Sequence, residues 1–177
     1  VLASSAITVA FENCTNKGNV TASANAAGFV GSVSNSSSQY TKVTFRYCVN
    51  EGDIAMTSTD SNIGVGGFVG FGGKYSEVDA EYVSNRGNIS SKGGDNGVGG
   101  IYGGGTWASG DNQKLTVCYA SNYGDITVST ARGRAGGICG RMNRHGSEYT
   151  IEYSYNMGTI SAMDYCDSGI FGYSNAS

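Results

Sequence analysis

The residues able to do covalent, metal or proton-transfer chemistry are few. The 177-residue chain carries one histidine, five cysteines and fourteen carboxylates. Any Ser-His-Asp or Cys-His nucleophilic site would have to use His145. That residue lies in the polar stretch Arg141-Met142-Asn143-Arg144-His145-Gly146 and reads as a solvated loop side chain. No His-Glu-x-x-His is present, so a zincin-type metallopeptidase site is excluded. Cys14, Cys48, Cys118, Cys139 and Cys166 form no Cys-x-x-Cys, so zinc-ribbon and thioredoxin-like chemistry lack support. A polysaccharide-cleaving site needs acids and a base clustered on one face. Asp53 and Asp125 recur at one motif position, but Asn19, Asn88 and Thr159 share it, which suits a turn better than catalysis. Asp60-Ser61-Asn62, Gly94-Asp95-Asn96-Gly97 and Gly110-Asp111-Asn112 could lend oxygens to calcium, yet none reproduces an EF-hand loop or a calcium-binding β-helix repeat. The expectation is no catalytic residue, no metal site and no cofactor.

Candidates for ligand contact are the lone Trp107 with Tyr102 nearby, able to stack on a sugar ring or anchor a partner. Arg132, Arg134, Arg141 and Arg144 hold four of the eleven basic residues and could form a basic side for an acidic partner. Asn13, Asn19, Asn35, Asn88 and Asn175 stand in N-glycosylation sequons. The formal net charge is -3, without the basic footprint expected of a nucleic-acid binder. No apolar run is long enough for a membrane-spanning helix.

The elements that position these residues come from an internal repeat. Glycine numbers 29, proline 0 and leucine 2, against 24 valines and isoleucines, a balance that opposes a helical bundle. One motif recurs five times: Asn16-Lys17-Gly18-Asn19-Val20, Asn50-Glu51-Gly52-Asp53-Ile54, Asn85-Arg86-Gly87-Asn88-Ile89, Asn122-Tyr123-Gly124-Asp125-Ile126 and Asn156-Met157-Gly158-Thr159-Ile160. The asparagines are 34, 35, 37 and 34 residues apart. A second motif follows each copy, from Ala27-Gly28-Phe29-Val30-Gly31 through Gly66-Gly67-Phe68-Val69-Gly70 to Ser168-Gly169-Ile170-Phe171-Gly172. Asn-x-Gly tolerates positive φ and so predicts a sharp turn. The glycine-rich motif predicts close backbone approach and a second corner.

Before each asparagine the sequence alternates with period two. The column seven before (Val9, Val43, Val78, Leu115, Tyr149), the column five before (Phe11, Phe45, Ala80, Val117, Ile151) and the column three before (Asn13, Tyr47, Tyr82, Tyr119, Tyr153) read as inward. Glu12, Arg46, Glu81, Cys118 and Glu152 read as outward, with charges alternating over the first three copies. Thr21, Ala55, Ser90, Thr127 and Ser161 read as an ordinary outward strand face. A repeat of this length with short strands and glycine corners predicts an all-β parallel β-solenoid, or β-helix, of five coils. A β-propeller is the alternative, disfavoured because its blades run longer, about 40–50 residues. The whole of 1–177 is one repeat domain, with coils at about 7–42, 43–77, 78–114, 115–148 and 149–174. Cys14 and Cys48 fall in one column of adjacent coils, close enough for a disulfide staple, with a reduced stack as the alternative. Cys118, outward, is the candidate for pairing between chains.

The pairing of Gly-Gly-Ile/Phe-x-Gly with a later Cys/Tyr-x-Asn-x-Gly-Asp/Asn-Ile resembles the GLUG repeat over residues 7 to 172. The resemblance implies a repetitive region of bacterial surface and secreted proteins, including adhesin-like chains and IgA-protease-like metallopeptidases. It carries no catalytic residue. Ala27 and Asn13 in the first copy and Ser168 in the last depart from the pattern, as terminal coils often do. The chain begins without methionine and neither end carries an amphipathic cap, which reads as a processed chain or a piece of a longer one. The expected function is therefore non-catalytic, extracellular and structural: a surface stalk or adhesin segment, or a subunit stacking end to end with itself or with flanking repeats. The alternative is a binding module for glycan or host surface protein, using the loop around Trp107 and the basic 132–145 region.

Overall fold

The computed structural model describes residues 6–35, 38–93, 97–105, 112–142, 146–163 and 166–174, with only the backbone of Cys166 and Ser174. Every regular element among them is a β-strand, and the chain is a parallel β-solenoid. Each coil contributes five strands. The first strands are Ile7–Glu12, Thr41–Arg46, Ser76–Glu81, Lys114–Cys118 and Glu148–Glu152. The second are Thr15–Asn16, Val49–Asn50, Ser84–Asn85, Ser121–Asn122 and Tyr155–Asn156. The third are Val20–Ala22, Ile54–Met56, Ile89–Ser91, Ile126–Val128 and Ile160–Ala162. The fourth are Ala26–Ala27, Val65–Gly66, Val98–Gly99, Arg134–Gly136 and Cys166–Ser168, and the fifth Val30–Val33, Val69–Gly72, Tyr102–Gly105, Cys139–Met142 and Phe171–Ser174.

Equivalent strands pair only with each other, giving five parallel sheets of five strands. A propeller blade would pair consecutive strands of one repeat, so that alternative is excluded. Register aligns like with like: Val9 with Val43, Val43 with Val78, Val78 with Leu115, and Phe11 with Phe45. The coils start at Thr41, Ser76, Lys114 and Glu148, one or two residues before the boundaries read from the sequence.

No coil can bury its apolar face alone, so the core forms between coils. Alternation sends Val43, Phe45, Val78, Leu115 and Val117 inward, each at most 3% exposed. They pack against Phe68, Ile101 and Ile138 from the glycine-rich corner, and against the fifth strands, in one cluster. A second cluster joins the third strands, through Ile54, Ile89 and Ile126, to Val65, Val98 and Ala135 of the fourth. At the amino-terminal end Phe11 stacks on Phe45 at 5.1 Å and Phe29 on Phe68 at 4.9 Å, the two stacks meeting edge to face.

The outward column also holds. Glu12 registers with Arg46, and Arg46 forms an ion pair with Glu81. Lys42 bridges Glu77 at 2.7 Å and Asp79 at 2.6 Å, and these hydrogen bonds, that to Asp79 foremost, hold its ammonium above the usual lysine range.

The column three before the asparagine is not inward. Tyr47, Tyr82, Tyr119 and Tyr153 are 42–72% exposed. Alternation is a property of a strand, and these residues sit beyond the strand end in the left-handed region, with φ of 54°, 53°, 53° and 48°. The chain turns there, so Arg46 and Tyr47 both face out and Cys48 returns inward. The four rings then stack coil on coil at 5.0, 4.8 and 4.9 Å, tilted by less than 10°.

Replacing Phe45 by alanine should destabilise the fold by about 3–5 kcal/mol. Phe11→Ala, at the half-buried first coil, should cost less. Urea unfolding of the two variants against the parent checks the order.

Candidate functional site

The two sequence motifs meet inside the coil. Asn50, Asn85 and Asn122 end the second strands with side chains fully buried. Each donates one Nδ2 hydrogen to the carbonyl of the glycine two residues on: Asn50 to Gly52 at 2.9 Å, Asn85 to Gly87 at 2.9 Å, Asn122 to Gly124 at 2.8 Å. Each donates the other to the Oδ1 of the next coil's asparagine. The column runs Asn16 to Asn50 at 2.8 Å, then Asn50 to Asn85, Asn85 to Asn122 and Asn122 to Asn156, each at 2.7 Å. It is an unbroken one-way amide ladder. Neither Asn nor Gly of the turn has positive φ, contrary to expectation. The glycines are required for another reason: a Cβ on Gly52, Gly87, Gly124 or Gly158 would collide with the carbonyl oxygen of the glycine one coil earlier.

Across the interior the ladder abuts the second glycine of the other motif. A Cβ on Gly67 would lie 2.8 Å from Asn85 Oδ1, one on Gly100 2.6 Å from Asn122 Cγ, and one on Gly137 2.5 Å from Asn156 Cβ. Gly28 faces Asn50 in the same way. Each corner thus holds the asparagine of the following coil, and this contact divides the interior into the two apolar clusters.

The residues one beyond the turn glycine make a second ladder, outside the coil. Asp53 N–H donates to Asn19 Oδ1 at 2.9 Å, Asn88 N–H to Asp53 Oδ1 at 2.8 Å, Asp125 N–H to Asn88 Oδ1 at 3.0 Å and Thr159 N–H to Asp125 Oδ1 at 2.8 Å. Asp53 and Asp125 therefore serve the turns, as their shared column with Asn suggests.

The remaining candidates separate widely. Tyr102, Arg134 and Arg141 are buried, at 2%, 5% and 1% exposure, so they cannot be ligand-contact residues of an outer face. Their strands pass the glycine-rich corner, where the neighbouring glycines leave room for large side chains; Arg134 lies over the Tyr173 ring at 4.5 Å. Arg132 is exposed. Trp107, Arg144, His145 and Asn175 lie outside the described residues. Asn35 is 2% exposed and its sequon cannot carry a glycan in this fold. Asn13, Asn19 and Asn88 are exposed, the last two with their oxygens engaged in the turn ladder. Of the calcium candidates, Asp60, Ser61 and Asn62 are exposed, while 94–96 and 110–111 lie outside the described residues. Among the described residues no three His, Cys, Asp or Glu side chains converge on a metal position.

Cys14, Cys48, Cys118 and Cys139 are free thiols. The Cys14–Cys48 staple is not formed, and the reduced stack set beside it is the arrangement present. Cys14 Sγ donates to Glu12 carbonyl at 3.3 Å, and Cys48 Sγ to the carbonyls of Arg46 at 3.3 Å and Phe11 at 3.5 Å. Burial raises the thiol pKa of Cys48 and Cys118, and that of Cys139 far more, which opposes nucleophilic chemistry.

The sequence reading missed the outward tyrosine stack. Its signal was Asn13 in the same column, because asparagine tolerates the left-handed region. An apolar hollow opens at the amino-terminal coil edge. Val9 is 41% exposed, and a hollow of about 180 Å³ beside it is lined by Ile7, Val30, Val33 and Val43. Comparison of the chain with family models, curated proteins and solved structures returned no match.

Asn85→Ala would leave one Nδ2 hydrogen of Asn50 and the Oδ1 of Asn122 buried without a partner, while Asn50 keeps its bond to Gly52, each loss costing about 1–3 kcal/mol. The variant should unfold at clearly lower urea than one with alanine at exposed Asn13. Alkaline pH gives a second check. The buried thiols stay protonated in the fold, whereas those of the unfolded chain ionise near about pH 8.5. Stability should be full below that pH and fall above it, and a Tm series should show a shallower fall for Cys139→Ala.

Proposed function

We propose that the chain is a non-catalytic extracellular structural segment, a repeat spacer of the stalk or adhesin type. The observation that carries this reading is the continuity of the inner asparagine ladder through all five coils, from Asn16 to Asn156. Residues held in such columns serve the stacking of coils, and the same side chains recur where a catalytic site would need unlike ones. The carboxylates that recur, Asp53 and Asp125, are engaged by backbone N–H groups of the following coil. The likeness of both motifs to the GLUG repeat points the same way, toward a surface or secreted protein. Of the residues named for the glycan- or protein-binding alternative, Tyr102, Arg134 and Arg141 lie in the interior and Arg132 is exposed.

Antibodies raised against the folded chain should label intact, unpermeabilised source cells, and brief protease treatment of those cells should remove the label. Label that appears only after lysis would contradict the reading.

A further inference from the structure

The two coil edges differ in what they offer. The asparagine ladder has a direction, each Nδ2 donating to the following coil. Asn156 donates to Gly158 carbonyl at 2.7 Å, and its second hydrogen lies where every earlier asparagine reaches the next coil. At the other edge Asn50, Asn85, Asn122 and Asn156 accept from the preceding coil, whereas Asn16 Oδ1 accepts the N–H of its own Gly18 at 3.2 Å. One edge ends on a donor and the other on an acceptor. Among the described residues the apolar columns are least closed at the two edges: Phe11, Val20 and Phe29 at the amino-terminal edge, and Ile151, Ile160 and Ile170 at the carboxy-terminal edge, are only half-buried, while their counterparts in the middle coils are closed.

From this we infer an interaction surface: the carboxy-terminal edge of one copy seats on the amino-terminal edge of a second copy, head to tail. The inference rests on the structural reading above and names its partner. In this join Asn156 donates to Asn16 of the second copy, as Asn122 does to Asn156 within the chain. Ile151 meets Phe11, Ile160 meets Val20 and Ile170 meets Phe29, which continues the coil-to-coil interface already present four times. Joining like edges would instead set two Asn16 oxygens, or two Asn156 donors, against each other. It would also reverse the strand direction and lose the columns. A head-to-tail contact between unlike surfaces does not close, so it propagates as a linear assembly.

The outward column makes the join testable with a gain. Glu152 would stand beside Glu12 of the next copy, a like-charge pair where Arg46 and Glu81 form an opposite one. Within the chain Glu152 registers with Cys118, so replacing it breaks no ion pair there. Glu152→Arg reproduces the Arg46–Glu81 arrangement across the join and should tighten self-association roughly 2- to 30-fold. Unfolding cannot mimic that gain. Were like edges to meet, two arginines would oppose each other and association would not tighten.

Sedimentation velocity over a wide concentration range reads the outcome, with circular dichroism verifying the fold of each variant. The parent should form species that lengthen with concentration, and Glu152→Arg should do so at lower concentration. Val9→Lys, blocking one edge, and Ile160→Lys, blocking the other, should each remain monomeric. Mixed, the two should give a 1:1 dimer that grows no further. A parent that stays monomeric throughout, a Glu152→Arg variant that does not associate more tightly, or a mixture that forms no dimer would overturn the inference. Surface labelling of source cells is independent of these results, so a monomeric chain at the cell surface would remove this inference and leave the spacer reading standing.

Discussion

Burying a primary amide is unfavourable unless all its hydrogen-bonding capacity is used. The solenoid meets this demand by stacking its asparagines in register, so that each amide satisfies its neighbour and its own turn. That constraint fixes much else. The repeat must return the asparagine to the same place in each coil, although the spacings vary from 34 to 37 residues. The extra residues therefore fall between the motifs. The turn must bring one glycine carbonyl against the next glycine without a side chain between them. The opposite corner must carry glycine as well, because a Cβ there would enter the space the amide fills.

The amide column is polar but narrow, and apolar packing on both sides shields it. The first and fifth strands close over the aromatic and branched side chains of one cluster, and the third and fourth over the smaller second cluster. Neither cluster belongs to a single coil. Loss of one amide is thus felt by the coils above and below, and the stability of each coil depends on having neighbours. The outer ladders of turn carboxylates, amides and tyrosine rings repeat the same spacing on the surface, where each contact is worth less because solvent competes.

Most of this architecture was legible in the sequence. The paired motifs gave the coil and its approximate length, and period-two alternation assigned Val43, Phe45 and their columns to the core. The registration of Glu12, Arg46 and Glu81 followed from the same count. Alternation failed at Tyr47, Tyr82, Tyr119 and Tyr153 because the count was carried past the strand end into a left-handed corner. Positive φ was assigned to the Asn-x-Gly turn because that is the commonest use of glycine, whereas contact between coils is the reason here. The buried Tyr102, Arg134 and Arg141 were misread for a different reason: large polar side chains are usually exposed, and only the fold reveals that the neighbouring glycines leave them interior room. Which side chains meet across the coil, such as Gly100 and Asn122, could not be read from spacing, because it depends on how far the chain climbs between the two corners.

The most direct test of the account is hydrogen exchange at the side-chain amides, followed by NMR. The Nδ2 protons of Asn50, Asn85 and Asn122 should exchange as slowly as the backbone amides of the central first strands, opening only with global unfolding. Exchange at the rate of the exposed Asn13 amide would contradict the claim that a closed amide ladder holds the coils together.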